Sequence, residues 1–318
     1  MISKKILVIT EVKHINGLTT ELNKIGDITY LNSPSFNQVK KIINNYEAIF
    51  TNPNKSKIYI GKALLESSKK IKVVCTASTG LNHIDVDFLK SKKIKIISLT
   101  KKKNITKNIS STAEMALALT MSSLRNVVSS ANSVLKGQWD YTQHIGRQFN
   151  SLTVGIIGYG RLGKMYANYC KALGAKIIVY DPFKKTINKN FSLIKNVNSL
   201  YKKADIISLH IHLNQNNYNM INLKNLNLMK SNVLLVNTSR GEIINEEDTI
   251  TFLKKNPRAK LATDVIANEI LGKNKSPLIR YAKRSKQIII TPHIGGMTVE
   301  AQEIAYMGVA ILLKKFFS

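Results

Sequence analysis

Three segments in the second half of the chain end an apolar, β-rich run on a side chain able to do chemistry. Asn237-Thr238-Ser239-Arg240-Gly241 closes the run VLLVN (233–237), Glu269 ends the segment TDVIANE (263–269) behind AKLAT (259–263), and His293 lies in TPHIGG (291–296) behind QIIIT (287–291). A guanidinium, a carboxylate and an imidazole suit one reaction in particular, the reduction of a carbonyl that lies next to a carboxylate. Arginine keeps its charge and offers a two-pronged fork for a 2-oxo acid. Histidine can deliver a proton near neutral pH, and a neighbouring carboxylate stabilises its charged form. Singly, each residue has a plainer use: His293 as a helix cap, Glu269 as a solvated acid, Arg240 as a structural ion-pair partner. Their order along the chain, beside the motif that follows, favours the chemical reading.

That motif is Gly158-Tyr159-Gly160-Arg161-Leu162-Gly163, between the apolar segment TVGII and the helical stretch 164–173. Gly158 permits a tight turn, Gly160 lets a pyrophosphate approach the backbone, and Gly163 lets the helix pack on the strand. The helix N-terminus then offers N–H groups and a positive dipole end to phosphates. Arg161 either reaches the pyrophosphate or points to solvent. Asp181 follows the next β-rich run, KIIVY (176–180), at the offset where an acid accepts from the adenosine ribose. A carboxylate there repels the extra phosphate of NADP, so the expected cofactor is NAD even with Lys184 and Lys185 close by.

The elements that must position these groups are legible as alternating patterns. KILVIT (5–10), EAIFT (47–51), IKVVCT (71–76) and IKIIS (94–98) read as strands buried on both faces, with helical spacing between them, for example over 60–70. A polar segment, 101–108, reads as a crossover, and 111–136 carries one long helical pattern opened by Ser110-Ser111-Thr112 with Glu114 in its first turn. Six strand-like runs then alternate with helices: LTVGIIG (152–158), KIIVY, DIISLH (205–210), VLLVN, AKLAT and QIIIT. This predicts an α/β protein with a doubly wound parallel sheet of the Rossmann type. A last helix, about 298–316, follows Gly295-Gly296 and can return to the first unit, so the expected domains are 1–100 with 295–318, and 101–294.

Composition limits the alternatives. The chain has 318 residues, 44% of them hydrophobic, enough for a substantial core and against wholesale disorder. No apolar run is long enough for a membrane-spanning helix, and MISKKILVIT reads as a first strand. Two cysteines, Cys75 and Cys170, make no disulfide framework or cysteine-based zinc site, which points to a reducing compartment, the cytoplasm. The net charge of +29 comes mostly from lysines scattered along the chain, a composition bias more than a built nucleic-acid surface. Lys101-Lys102-Lys103 reads as a solvated loop and ILLKKFFS as a packed terminus. No nucleic acid, membrane or metal is expected as a partner.

Taken together, STGLNHID (78–85), STAEMALAL (111–119), GIIGYGRLG with Asp181, SLH (208–210), NTSRG, DVIANE and TPHIGG resemble the D-isomer-specific 2-hydroxyacid dehydrogenases over nearly the whole chain. The resemblance implies a smaller flavodoxin-like α/β substrate domain beside the nucleotide domain. It implies that Arg240 binds the substrate carboxylate and 2-oxo group, that His293 is the general acid and base, and that Glu269 hydrogen-bonds this histidine and keeps its pKa high. Asp264 would orient the nicotinamide carboxamide, while backbone N–H groups at Ser78, Thr79 and Gly80 would hold the substrate carboxylate from the other domain. Leu162 and Thr238 belong to the cofactor-facing motifs, His210 lines the cofactor or packs, and His83 falls inside the substrate-side motif. GQWDYTQHIGR (137–147), with Trp139 and His144, is consistent with a protruding dimer arm and hence a homodimer. His212 and Ile270 stand where the family commonly has proline. The implied activity is NAD-dependent interconversion of a D-2-hydroxy acid and its 2-oxo acid. D-3-phosphoglycerate leads, because Lys55 or Lys57 can attract a phosphate; glyoxylate or hydroxypyruvate reduction follows, and a non-enzymatic NAD(H)-sensing, corepressor-like binding protein is the alternative of another class. The chain ends directly after its last helix, so the regulatory extension of some phosphoglycerate dehydrogenases is not expected.

Overall fold

The computed structural model describes residues 3–53, 58–269, 272 and 275–318. The chain divides into two compact units, Met1–Ile109 with Met297–Ser318, and Ser110–Gly296. Asn54, Lys55, Ser56, Lys57 and Ile270, several of which carried expectations above, lie outside the described residues.

The first unit is built on five parallel strands: β1 (Lys5–Val8), β2 (Asp27–Tyr30), β3 (Ala48–Thr51), β4 (Val73–Thr76) and β5 (Lys95–Ile97), in the order β2-β1-β3-β4-β5. That is the flavodoxin-like doubly wound order. Side chains of β1 alternate between two cores. Ile6 and Val8 join Phe50, Val73 and Cys75, whereas Leu7 and Ile9 join Ile49, Val74 and Leu89. Both faces are covered, which is why the runs are continuously apolar. β2 was not anticipated: DITY is short, sits at the sheet edge and is only half-buried, so it carries no strong apolar signal. The helix Val299–Phe317, capped by the Thr298 hydroxyl on Ala301 N, places Tyr306, Val309, Ala310 and Leu313 in the core of Ile6 and Val8. The helical turn Lys103–Thr106 packs here too: a Cβ on Gly308 would meet Ile105 Cγ2 at 2.8 Å.

The second unit carries β6 (Thr153–Ile157), β7 (Lys176–Tyr180), β8 (Ser192–Leu193), β9 (Ile206–Leu209), β10 (Leu234–Asn237), β11 (Lys260–Thr263) and β12 (Ile288–Ile290), ordered β12-β11-β10-β9-β6-β7-β8 and all parallel. Chain direction across the sheet reverses between β6 and β9, the switch point at which such sheets bind ligands. The seventh strand, β8, escaped the sequence reading because it is two residues long and largely exposed.

The long helical pattern over 111–136 is two helices, Ser111–Leu124 and Val127–Leu135, broken at Asn126, whose φ is +57°. Asparagine tolerates that left-handed conformation, and Lys260 Nζ donates to Ser123 O (2.7 Å) and to the Asn126 side chain across the break. Apolar spacing continues through it, so periodicity alone does not reveal it. The opening differs as well: the Ser110 hydroxyl donates to the Glu114 carboxylate, and no side chain caps this helix among the described residues. No helix among the described residues is long and apolar enough to cross a membrane.

Candidate active site

At the C-terminal end of β6 the chain turns sharply through Gly158 at φ +94°, a conformation that disfavours any side chain, and a Cβ there would meet His210 O at 2.4 Å. A Cβ on Gly163 would come within 2.1 Å of Gly158 O, so the helix Arg161–Ala172 can start this close to the turn only with glycine at that position. Among the described residues, open space lies around Gly160 and no side chain caps the helix it precedes. The phosphate-binding features of a dinucleotide turn are thus present: an approachable backbone and a helix end facing it. Asp181, at the end of β7, accepts from Tyr159 N (2.8 Å) through Oδ2 and from Phe183 N (2.9 Å) through Oδ1, tying the acid to the glycine turn. Each carboxylate oxygen retains a lone pair for a ribose hydroxyl. Arg161 and Leu162 are half-buried, and burial draws the Arg161 pKa down.

Two further positions bear on whether a dinucleotide fits. The Thr238 hydroxyl, just past β10, is buried with no hydrogen-bond partner among the described residues, and such a group calls for a ligand or water. His210 Nε2 contacts Ser208 Oγ (2.9 Å) and its ring packs on Tyr166 at 5.0 Å, while Thr120 Oγ1 meets the Tyr166 hydroxyl at 2.7 Å. Burial lowers the His210 pKa to about 3, so it is a neutral ring under the turn. The residues present fit NAD.

On the other side of β6 in the sheet, β10, β11 and β12 lead into the segments that carry Arg240, Glu269 and His293. Asn237 shapes the first turn: its Oδ1 accepts from Ser239 N (3.0 Å) and its Nδ2 donates to Arg240 O (2.9 Å), while Ser239 Oγ donates to Leu209 O (2.6 Å). Arg240 is half-buried. Burial lowers its pKa, and the charges of Glu269 and Glu242 oppose that, keeping it a cation. His293 Nδ1 lies 2.8 and 2.9 Å from the two oxygens of Glu269. The same glutamate therefore serves the histidine by hydrogen bond and the arginine by charge. His293 sits at φ +58°, a strained conformation for histidine.

Asp264 maintains that strain. Fully buried, it accepts from Thr291 Oγ1 (2.5 Å) and Ile294 N (2.9 Å) on Oδ1 and from Gly295 N (2.7 Å) on Oδ2, on both sides of His293. Two acids that the sequence reading passed over hold the loop bearing Glu269. Glu246, buried, accepts from Ala267 N (2.9 Å) and Ser276 Oγ (2.8 Å), and Glu242 accepts from Asn268 N (3.2 Å). The signal of Glu246 was present as a run of acids, Glu246-Glu247-Asp248, at a helix start; it reads as dipole complementarity and not as loop support.

In the first unit, Ser78 and Gly80 are half-buried and Thr79 is exposed, in the loop after β4. Asn52, after β3, donates to the Tyr306 hydroxyl.

Residues 117–295 match the family profile described as D-isomer specific 2-hydroxyacid dehydrogenase, NAD binding domain. The chain is 30% identical to the hydroxypyruvate reductase of Thermotoga maritima over 253 residues, 80% of this chain and 79% of that protein. It is 28% identical to the D-3-phosphoglycerate dehydrogenase of Synechocystis over 283 residues, 88% of this chain and 49% of that protein, so it spans about half the length of such relatives. The crystal structure of the D-lactate dehydrogenase of Aquifex aeolicus complexed with NAD and lactic acid superposes with a TM-score of 0.81 at 25% identity, covering 98% of this chain and 95% of that one. Parallel doubly wound sheets with a dinucleotide turn define an α/β dinucleotide-binding protein. The chain belongs to the D-isomer specific 2-hydroxyacid dehydrogenase family, and its cofactor is NAD.

Proposed function

We propose that the protein interconverts a D-2-hydroxy acid and its 2-oxo acid, with Gly158, Gly160, Arg161, Leu162, Gly163, Asp181, His210, Thr238 and Asp264 serving the cofactor and Arg240, Glu269 and His293 the reaction. The observation that carries this reading is the His293–Glu269 contact at 2.8 Å, on a strained turn, with Arg240 coupled to the same glutamate. NADH, when bound, supplies the hydride to the carbonyl carbon. With Nδ1–H held by Glu269, the protonated ring presents its other proton at Nε2. His293 passes that proton to the carbonyl oxygen in reduction and takes it back from the hydroxyl in oxidation. Glu269 keeps the ring oriented and balances the imidazolium charge. Arg240 holds the carboxylate and the 2-oxo oxygen with its fork, withdrawing electron density from the carbonyl. Ser78, Thr79 and Gly80 contribute backbone N–H groups to the substrate carboxylate.

D-3-phosphoglycerate is the leading substrate on the strength of relatives bearing that name. Hydroxypyruvate reduction is the second reading, favoured by the Thermotoga relative, which this chain matches over 79% of its length. NADH oxidation measured with phosphohydroxypyruvate, hydroxypyruvate, glyoxylate and 2-oxoglutarate tests both. The largest kcat/KM assigns the substrate. Tight NADH binding without turnover on any acid would instead support an NAD(H)-sensing binding protein.

A run of exposed apolar side chains lies on the second unit: Leu135 is 84%, Trp139 90%, Tyr141 83% and Ile145 80% exposed. Large exposed apolar patches mark interaction sites, and this one supports a homodimer.

A further inference from the structure

The loop that carries Ser78, Thr79 and Gly80 rests on a line of polar groups whose proton order follows from counting hydroxyl protons. Ser78 Oγ lies 2.6 Å from Gly80 O. A carbonyl only accepts, so the single Ser78 hydroxyl proton is spent there. Thr76 Oγ1 lies 3.1 Å from Ser78 Oγ, so Thr76 is the donor in that contact and its one proton is spent too. His83 Nε2 lies 3.0 Å from Thr76 Oγ1 and is left as the donor. The order runs from His83 Nε2–H to Thr76 Oγ1, to Ser78 Oγ, to Gly80 O.

The first two members of this line are anchored. Thr76 is fully buried at the end of β4, in register with Thr51 of β3. His83 is buried, its carbonyl accepts from Ile60 N (2.9 Å), and Asp85 N donates to Ile60 O (2.9 Å). The other carbonyls of the loop are also occupied: Leu99 N donates to Ser78 O (3.0 Å) and Thr100 Oγ1 to Thr79 O (2.7 Å). All three carbonyls are thus engaged, whereas no group among the described residues accepts from the N–H of Ser78, Thr79 or Gly80. A loop with its acceptors satisfied and its donors unspent is prepared for an anion.

We infer that His83 is the positioning residue of this loop, its Nε2–H ordering the Thr76–Ser78 line so that the Gly80 carbonyl is held and the three N–H groups remain for a substrate carboxylate. The inference rests on the reading of Ser78–Gly80 as a carboxylate-binding loop.

Steady-state kinetics of the full chain, with the best 2-oxo acid of the panel, provides one test. His83→Leu removes the donor, Thr76→Val removes the relay at nearly constant shape, and His83→Gln restores an amide N–H at similar reach. His83→Leu and Thr76→Val should each raise KM for the 2-oxo acid about tenfold, the 1.4 kcal/mol of one lost charge-assisted hydrogen bond. NADH affinity and kcat should stay within about threefold, His83→Gln should return KM to near wild type, and the double variant should be no worse than either single one. A second test needs no turnover: long-range ¹H–¹⁵N correlation spectra of the intact chain should show His83 protonated at Nε2.

Equal KM for His83→Gln and His83→Leu, an unchanged KM in His83→Leu, parallel loss of NADH affinity, or a His83 proton only on Nδ1 would each overturn the inference. A wild-type chain that turns over no 2-oxo acid would instead remove the carboxylate reading on which the inference stands, so the two failures are told apart.

Discussion

At the scale of single residues, the proposed reaction depends on His293 and its partner Glu269. In the proposed reaction His293 meets the reacting oxygen only as the proton moves, so His293→Ala should lower kcat by about 10²–10⁴-fold while leaving NADH affinity, read by fluorescence titration, within about twofold. Near-normal turnover in that variant would remove His293 from its role. Asp181 makes a second residue-scale prediction. Its replacement by alanine should raise the KM for NADH about tenfold and narrow the preference over NADPH, since the ribose acceptor and the repulsion of a 2′-phosphate are lost together. His210 makes a third, on stability. Its folded pKa of about 3 lies below the ordinary 6.5, so the unfolded chain binds a proton that the folded chain refuses once the pH drops beneath 6.5. Its stabilising contribution is therefore complete above pH 6.5 and is lost as the pH falls from 6.5 toward 3, by at most about 1.4 kcal/mol per unit. Between pH 7 and pH 5 the urea midpoint should fall less in His210→Gln than in wild type; equal losses would contradict a neutral ring at this position.

Turns and loops, at the scale of elements, do the positioning. Strands β10, β11 and β12 end on segments that have no regular structure of their own, and each is held by a buried polar side chain: Asn237, which accepts from Ser239 N and donates to Arg240 O, for the Arg240 turn, Glu246 for the loop bearing Glu269, Asp264 for the His293 turn. Removing the Glu246 carboxylate leaves Ala267 N and Ser276 Oγ without their acceptor. Glu246→Ala should cost about 2–3 kcal/mol in urea unfolding and lower kcat more than NADH affinity, because Glu269 loses its register with His293. A kcat equal to wild type would show that the loop keeps its place without Glu246. Glu246 was hard to see in advance because an acid in a first helical turn already has a local explanation.

The whole molecule presents a surface that composition did not anticipate. The basic charge is spread over the chain, whereas exposed apolar area gathers on the helix Val127–Leu135 and the segment after it. That helix buries none of its residues. If a second copy covers this surface, Leu135→Glu combined with Trp139→Glu should convert a dimer to a monomer in sedimentation velocity at micromolar concentration, with the NADH affinity retained. A wild-type protein that sediments as a monomer would refute the homodimer.

Local physics made the parallel strands and the glycine turn legible in the residues themselves. A strand buried on both faces needs a continuous apolar run, and a backbone at φ +94° needs glycine, so β1 and Gly158 declare themselves without neighbours. Edge strands β2 and β8 and the break at Asn126 did not, because their conformation is imposed by what packs beside them. Arg240, Glu269 and His293 could be recognised by type, but the 2.8 Å contact joins residues 24 apart, and the carboxylate of Asp264 closes on a turn 30 residues away. Such contacts depend on where the sheet brings strand ends together, and so does the spending of each hydroxyl proton beneath Ser78. Only the folded chain decides them, since a hydrogen bond has a direction and a length that no spacing in the sequence contains.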